Sequence, residues 1–124
     1  MSKILLSINP EYVNNIFKGI KKYEYRTKVA KNDVDTIVIY CTYPTKKIVG
    51  EVKVNKVICD TPLNLWKKTK SFSGVKKSFY EKYFENRDMA YAYELGDIVK
   101  YDMPKDLNTY GIKSAPQSYI YLKY

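Results

Sequence analysis

Gly19-Ile20-Lys21-Lys22-Tyr23-Glu24-Tyr25-Arg26 is the point where the chain changes from one periodicity to another. Before it, residues 10–18 set Val13, Ile16 and Phe17 on one helical face, with Asn9 as N-cap and Pro10 at the first helical position. Gly19 reads as the residue that stops this helix. From Lys22 onward the pattern alternates, which puts Lys22, Glu24 and Arg26 on one face of a strand and Tyr23 and Tyr25 on the other. Lys21 stands at the turn between the two elements. Charged groups of both signs, Lys21, Glu24 and Arg26, therefore gather where a helix hands over to a strand. The plainer reading is a cross-strand ion pair, which contributes little when exposed. Ser7 and Asn9 nearby make a pocket at a barrel mouth the better expectation, although they also suit an ordinary strand end and helix cap.

Outward from that stretch, residues 3–8 read as the first strand and 27–34 as a polar connection. Residues 35–42 are β-branched and strand-like, closed by Tyr43-Pro44. After the turn at 45–47, residues 48–58 alternate, with Val52 and Val54 inward; Gly50 within them signals a bulge or a close approach. Thr61 and Pro62 open a helix in which Leu63 and Trp66 fall three apart. Ser73 is placed to cap a further helix whose Val75, Phe79 and Tyr83 recur at four-residue spacing as core. Residues 89–95 read as a strand, Gly96-Asp97 as a turn, 98–102 as another strand, 104–114 as a loop, and 117–122 as the closing strand. The pattern alone specifies an α+β fold, mostly antiparallel, in one domain over residues 1–124.

Composition narrows the chemistry. Twenty-two lysines and arginines against 13 acids give a formal charge of +9, which suits a polyanionic partner. Lysine, asparagine, isoleucine and tyrosine are all abundant, as in proteins from AT-rich genomes, and that bias accounts equally well for much of the charge. It does not account for arginine. Only Arg26 and Arg87 break the preference for lysine, and Arg26 sits in the charged cluster, where a planar bidentate donor grips phosphate or carboxylate as an ammonium cannot. Histidine is absent, which removes serine-histidine and cysteine-histidine catalysis. Cys41 and Cys59 lack metal-ligand spacing, so no metal site and no cofactor is expected, and both read as reduced core thiols in the cytoplasm. No stretch has the length of a membrane span, and the N-terminal apolar run is too short for a secretory signal.

The opening stretch resembles the G-x-K-x-x-E-x-R signature of the ASCH domains, a PUA-like family, through Gly19, Lys21, Glu24 and Arg26. Ser7-Ile8-Asn9-Pro10, Ile39-Tyr40-Cys41-Thr42-Tyr43-Pro44, Ile48-Val49-Gly50-Glu51 and Ala115-Pro116-Gln117-Ser118-Tyr119 are similar to the same family, in the same order. The resemblance implies a small PUA-like β-barrel of five to six mostly antiparallel strands with peripheral helices. It also implies RNA binding, in RNA metabolism or translation-linked regulation.

Two function classes follow. As a binding module, the chain takes RNA or a modified nucleotide: Lys21 and Arg26 are fixed donors, Glu24 orients them or accepts from a base amine, Ser7 and Asn9 lie near, and Tyr23, Tyr25, Tyr40 or Trp66 offer flat faces for bases. Trp66 equally suits an ordinary apolar helix face. As an enzyme, the chain uses Lys21 as base or nucleophile and Glu24 as proton shuttle, without metal. Some relatives implied by the resemblance are amidohydrolases acting on acetylated cytidine, with the signature lysine, a threonine where this chain has Glu24, and a later glutamate. Lys21 matches them and Glu24 departs; Glu81 and Glu85 are candidates for the later glutamate by region only. Other relatives are ribonucleases, for which Lys21, Glu24 and Arg26 form a metal-independent set.

Overall fold

The computed structural model describes residues 2–30 and 33–122. In chain order these form β1 (Ser2–Ile8), α1 (Pro10–Phe17), β2 (Tyr23–Arg26), β3 (Val34–Cys41), β4 (Lys47–Asp60), α2 (Pro62–Thr69), α3 (Lys77–Tyr83), β5 (Ala90–Lys105) and β6 (Tyr119–Leu122). The strands make one six-stranded sheet in the order β2-β5-β4-β3-β1-β6. Only β1 and β3 run parallel; the other pairs are antiparallel. The α+β class and mostly antiparallel pairing match the expectation from the pattern.

Barrel closure does not. Among the described residues β2 and β6 stand at opposite ends of the ladder, each four residues long and paired to one neighbour. Where β2 comes near β1, a side chain makes the link in place of a backbone ladder: Arg26 Nη2 donates to the Ser7 carbonyl at 2.9 Å. Short edges of this kind leave little unpaired backbone open to another chain.

Local chemistry explains the elements around the site. Asn9 caps α1 by accepting from the Glu11 N–H at 3.1 Å, Pro10 follows it, and Gly19 ends the segment at φ +77°. Strands β1 and β3 are buried on both faces. Ile4, Leu6 and Ile8 join Ile37, Ile39 and Cys41 under α1, while Leu5 packs with Val38, Tyr40 and Ile48 on the opposite face. A second cluster, Tyr25, Leu65, Tyr80, Phe84, Ala90 and Ala92, docks α2 and α3 on the β2–β5 end. Cys41 is buried, but Cys59 is exposed and so is no core thiol.

Several other expectations are corrected. Gly96-Asp97 does not turn the chain, because β5 runs unbroken through 16 residues. Val52 pairs with Ile98 and Val54 with Leu95, so two residues of β5 face one of β4 in a bulge. That same strand occupies the start of the expected 104–114 loop, the rest of which holds a short 3₁₀ turn, Leu107–Tyr110. Gly50 satisfies both halves of its expectation: the β3–β4 and β4–β5 registers shift beside it, and a Cβ there would lie 2.5 Å from the Val99 carbonyl. In α2 the buried residues are Leu65 and Thr69, and Leu63 is exposed. Ser73 does not cap α3. Its hydroxyl bonds within the turn to Val75, and α3 begins four residues later with Lys76 as an N-cap lacking a side-chain bond.

Candidate functional site

Lys21, Glu24 and Arg26 meet on the floor of a cavity of about 260 Å³ that is also lined by Ser7, Ile8, Asn9, Tyr12, Tyr25, Val75, Phe79 and Tyr83. Lys21 is delivered by the turn after α1. Its N–H and that of Ile20 both donate to the Asn15 carbonyl at 3.0 Å, and the Lys22 N–H donates to the Phe72 carbonyl at 2.8 Å. The Asn15 side chain closes the other side, donating to the Gly74 carbonyl at 3.0 Å. The turn is thereby tied to residues 72–74. Gly74 adopts φ +64°, and a Cβ on it would come 2.3 Å from Lys21 Cβ. Only glycine leaves room for Lys21 there.

The Lys21 side chain is 2% exposed as a residue, the most buried charged group described. Its ammonium donates to the Ser73 carbonyl at 2.9 Å, faces Glu24 Oε1 at 3.8 Å, and lies over the rings of Tyr25 and Tyr12 at 4.9 and 5.5 Å. Burial lowers its pKa; the Glu24 carboxylate opposes that effect and the Arg26 guanidinium adds to it. Arg26 takes the other carboxylate oxygen, with Nη2 at 2.9 Å and Nε at 3.2 Å from Glu24 Oε2. Glu24 thus stands between two cations, one oxygen toward each. Its position on β2 is held by the pairing of Tyr23–Arg26 with residues 91–94 of β5.

Beneath the floor, the Thr69 hydroxyl donates to the Leu65 carbonyl at 2.8 Å and so receives the Tyr25 hydroxyl at 2.6 Å. Burial pushes the Tyr25 phenol up to about 12. Tyr12 is raised as well, by burial first and then by the carboxylates of Glu11 and Glu24. The site combines an amine with a weakened hold on its proton, a carboxylate, a guanidinium and aromatic walls. That set can grip an anion, accept from an N–H, or move a proton.

Ser7 and Asn9 line the same cavity, although the Ser7 hydroxyl is engaged with the Pro116 carbonyl at 2.8 Å and the Asn9 oxygen with its helix. Tyr40 is 7% exposed within the third core cluster on the opposite face of the sheet. Trp66 lines a separate cavity of about 240 Å³ with Leu63, Tyr80, Glu81 and Phe84. Neither Tyr40 nor Trp66 joins the charged floor, and Glu81 stands with Trp66. Sequence reading missed Tyr12, Phe79, Tyr83 and the Ser73 carbonyl as members of the site. A signal for two of them was present: Phe79 and Tyr83 repeat at i and i+4 beside a second aromatic pair, Tyr80 and Phe84. Among the described residues no three His, Cys, Asp or Glu side chains are grouped to hold a metal, and no helix is long and apolar enough to cross a membrane.

The chain is similar to proteins of Ureaplasma parvum serovar 3. A large ribosomal subunit protein uL22 is 32% identical over 121 residues, covering 97% of this chain and 39% of that protein. An ATP synthase subunit alpha of the same organism is 28% identical over 121 residues, covering 97% of this chain but 15% of its own length. This chain therefore spans well under half of the curated relatives it matches. In fold it is similar to the crystal structure of ASCH from Zymomonas mobilis, with a TM-score of 0.90 at 24% identity over 98% of this chain and 88% of the other. The sequence profile of the ASCH domain matches residues 6–99, a span that runs from the end of β1 into β5 and takes in every charged residue of the cavity floor. By that match the chain belongs to the ASCH domain family.

Proposed function

We propose that this chain binds RNA or a modified nucleotide in the cavity floored by Lys21, Glu24 and Arg26. The observation that carries the reading is Glu24, buried between two cations with a separate oxygen toward each. Two cations to one carboxylate leave the floor net positive and suited to a phosphate or a base carbonyl, while the carboxylate accepts from a base N–H. The overall charge of +9 adds long-range attraction for such a ligand. The names of the Ureaplasma relatives do not decide between partners. One segment length matches two proteins of unrelated description, and it is a minor part of each.

A second reading is favoured by one specific feature, the lowered pKa of Lys21 at the cavity floor. In that reading the chain is a small metal-independent hydrolase of an amide on a modified nucleoside, such as acetylated cytidine, or a ribonuclease. Lys21 is then base or nucleophile and Glu24 the proton shuttle. The test is incubation of the pure protein with total RNA and a panel of modified nucleosides including acetylated cytidine, followed by mass spectrometry of products and retained ligand. The binding reading expects an unchanged nucleotide or RNA to be retained, and Arg26→Ala to weaken retention by roughly tenfold or more. Product formed by the wild type and abolished in both Lys21→Ala and Glu24→Gln establishes the hydrolase instead. Neither product nor ligand removes both readings.

A further inference from the structure

Phe79-Tyr80-Glu81-Lys82-Tyr83-Phe84 puts four aromatic rings in six residues, most of them within α3. At helical spacing they form two i, i+4 pairs on neighbouring stripes. Tyr80 and Phe84 are each 3% exposed and fill the second core cluster, which is enough to dock the helix. The other stripe is different. Phe79 remains 43% exposed and lines the cavity, with Tyr83 stacked beside it at 5.8 Å and 13° and Tyr12 of α1 tilted against it at 5.5 Å and 51°. An open phenyl ring next to a buried ion cluster is unfavourable in water and gains when a planar apolar face covers it. Core packing does not require it to be there.

We infer that Tyr12, Phe79 and Tyr83 form a stacking wall for the base of an unpaired nucleotide, so that α3 determines whether the cavity accepts a planar ring. The inference rests on the proposed nucleotide reading and adds the uncharged half of the site. A base lying against this wall turns its hydrogen-bonding edge away from the rings, in its own plane, while its faces are taken by the aromatics. Stacking of this kind tolerates every base, because each has a π-face.

The experiment is calorimetric titration with adenosine, cytidine, guanosine and uridine 5′-monophosphates and with ribose 5-phosphate, against the wild type, Phe79→Leu, Phe79→Trp and Arg26→Ala. Leucine keeps apolar volume and loses the flat face; tryptophan keeps the face. The wall predicts that Phe79→Leu weakens all four nucleotides by roughly 5- to 150-fold, leaves ribose 5-phosphate unchanged, and is made good by Phe79→Trp. Wild-type nucleotide affinity in Phe79→Leu overturns the wall; if Arg26→Ala is weakened in that case, the nucleotide reading stands without it. Equal loss of nucleotides and ribose 5-phosphate in Phe79→Leu also overturns the wall. Binding of no nucleotide by the wild type overturns the wall, and the RNA or modified-nucleotide reading is then decided by the retention experiment above. Circular dichroism of Phe79→Leu checks its fold, and the exposure of the ring predicts that it is retained.

Discussion

Gly74→Ala tests whether Lys21 is held by the shape of the turn opposite it. Two costs arise at this position. The backbone sits at φ +64°, where any side chain is strained by roughly 1–2 kcal/mol. The added Cβ would also lie 2.3, 2.6 and 2.9 Å from Lys21 Cβ, Cγ and Cα. None of these is the free end of a flexible chain, so the turn at Lys21 must move, and overpacking of this sort costs roughly 1–3 kcal/mol. Gly19 supplies the control. It has a similar φ of +77° and nothing within 4 Å of the corresponding Cβ, so Gly19→Ala carries the backbone cost alone.

The difference between the two variants isolates the packing against Lys21. Urea unfolding at pH 7 should therefore place Gly74→Ala roughly 1–3 kcal/mol below Gly19→Ala at an unchanged m value. Thermal midpoints should differ by roughly 4 °C for each kcal/mol. A second readout is local. Displacing Lys21 from the Ser73 carbonyl returns its ammonium toward solvent, so its titration, followed by the ¹³Cε shift, should move back up toward 10.5 in Gly74→Ala and stay lowered in Gly19→Ala. Equal midpoints for the two variants with an unaltered Lys21 titration would refute the reasoning.

Glu24→Gln removes the charge that opposes burial at Lys21, so the Lys21 titration should shift further below 10.5; an unchanged or raised titration by the same ¹³Cε method would show that the Glu24 carboxylate does not hold the proton on Lys21. In the wild type, Lys21 gives up its proton more readily folded than unfolded, so its contribution to stability should fall as pH drops from 10.5 toward its lowered value. Tyr25 acts in the opposite sense. Its phenol keeps its proton in the folded state up to about 12 while the unfolded chain loses it near 10.0, so the stabilisation it provides should be lost as pH rises across that window. Tyr25→Phe should cost about 1 kcal/mol at pH 7 for the lost bond to Thr69 and should flatten the decline of the urea midpoint between pH 10 and 12. An unchanged slope in Tyr25→Phe would place the alkaline loss on the other buried tyrosines.

Much of the site's outline was legible along the chain because the forces involved are local. Asn9 and Pro10 start α1 and Gly19 stops it through contacts that span a few residues, and the alternation of Tyr23, Glu24, Tyr25 and Arg26 follows from strand geometry alone. Where local signals competed, the reading went astray. Ser73 has the chemistry of a cap but satisfies its hydroxyl within its own turn. Gly96-Asp97 has the composition of a turn, yet the bulge against β4 absorbs both residues.

By itself, the sequence determined the α+β class, the charged trio at the helix-to-strand junction and the family to which these residues belong. Tertiary structure decided what surrounds them. The carbonyl that receives Lys21 comes from Ser73, 52 positions further on, and the space for it comes from Gly74 beside that residue. Tertiary packing also sent Tyr40 to the far face of the sheet, put Trp66 in another cavity, and turned Phe79 from an expected core residue into a cavity wall. Periodicity assigns a side chain to a face of its own element. Whether that face meets solvent, core or an ion cluster depends on which distant segment packs over it.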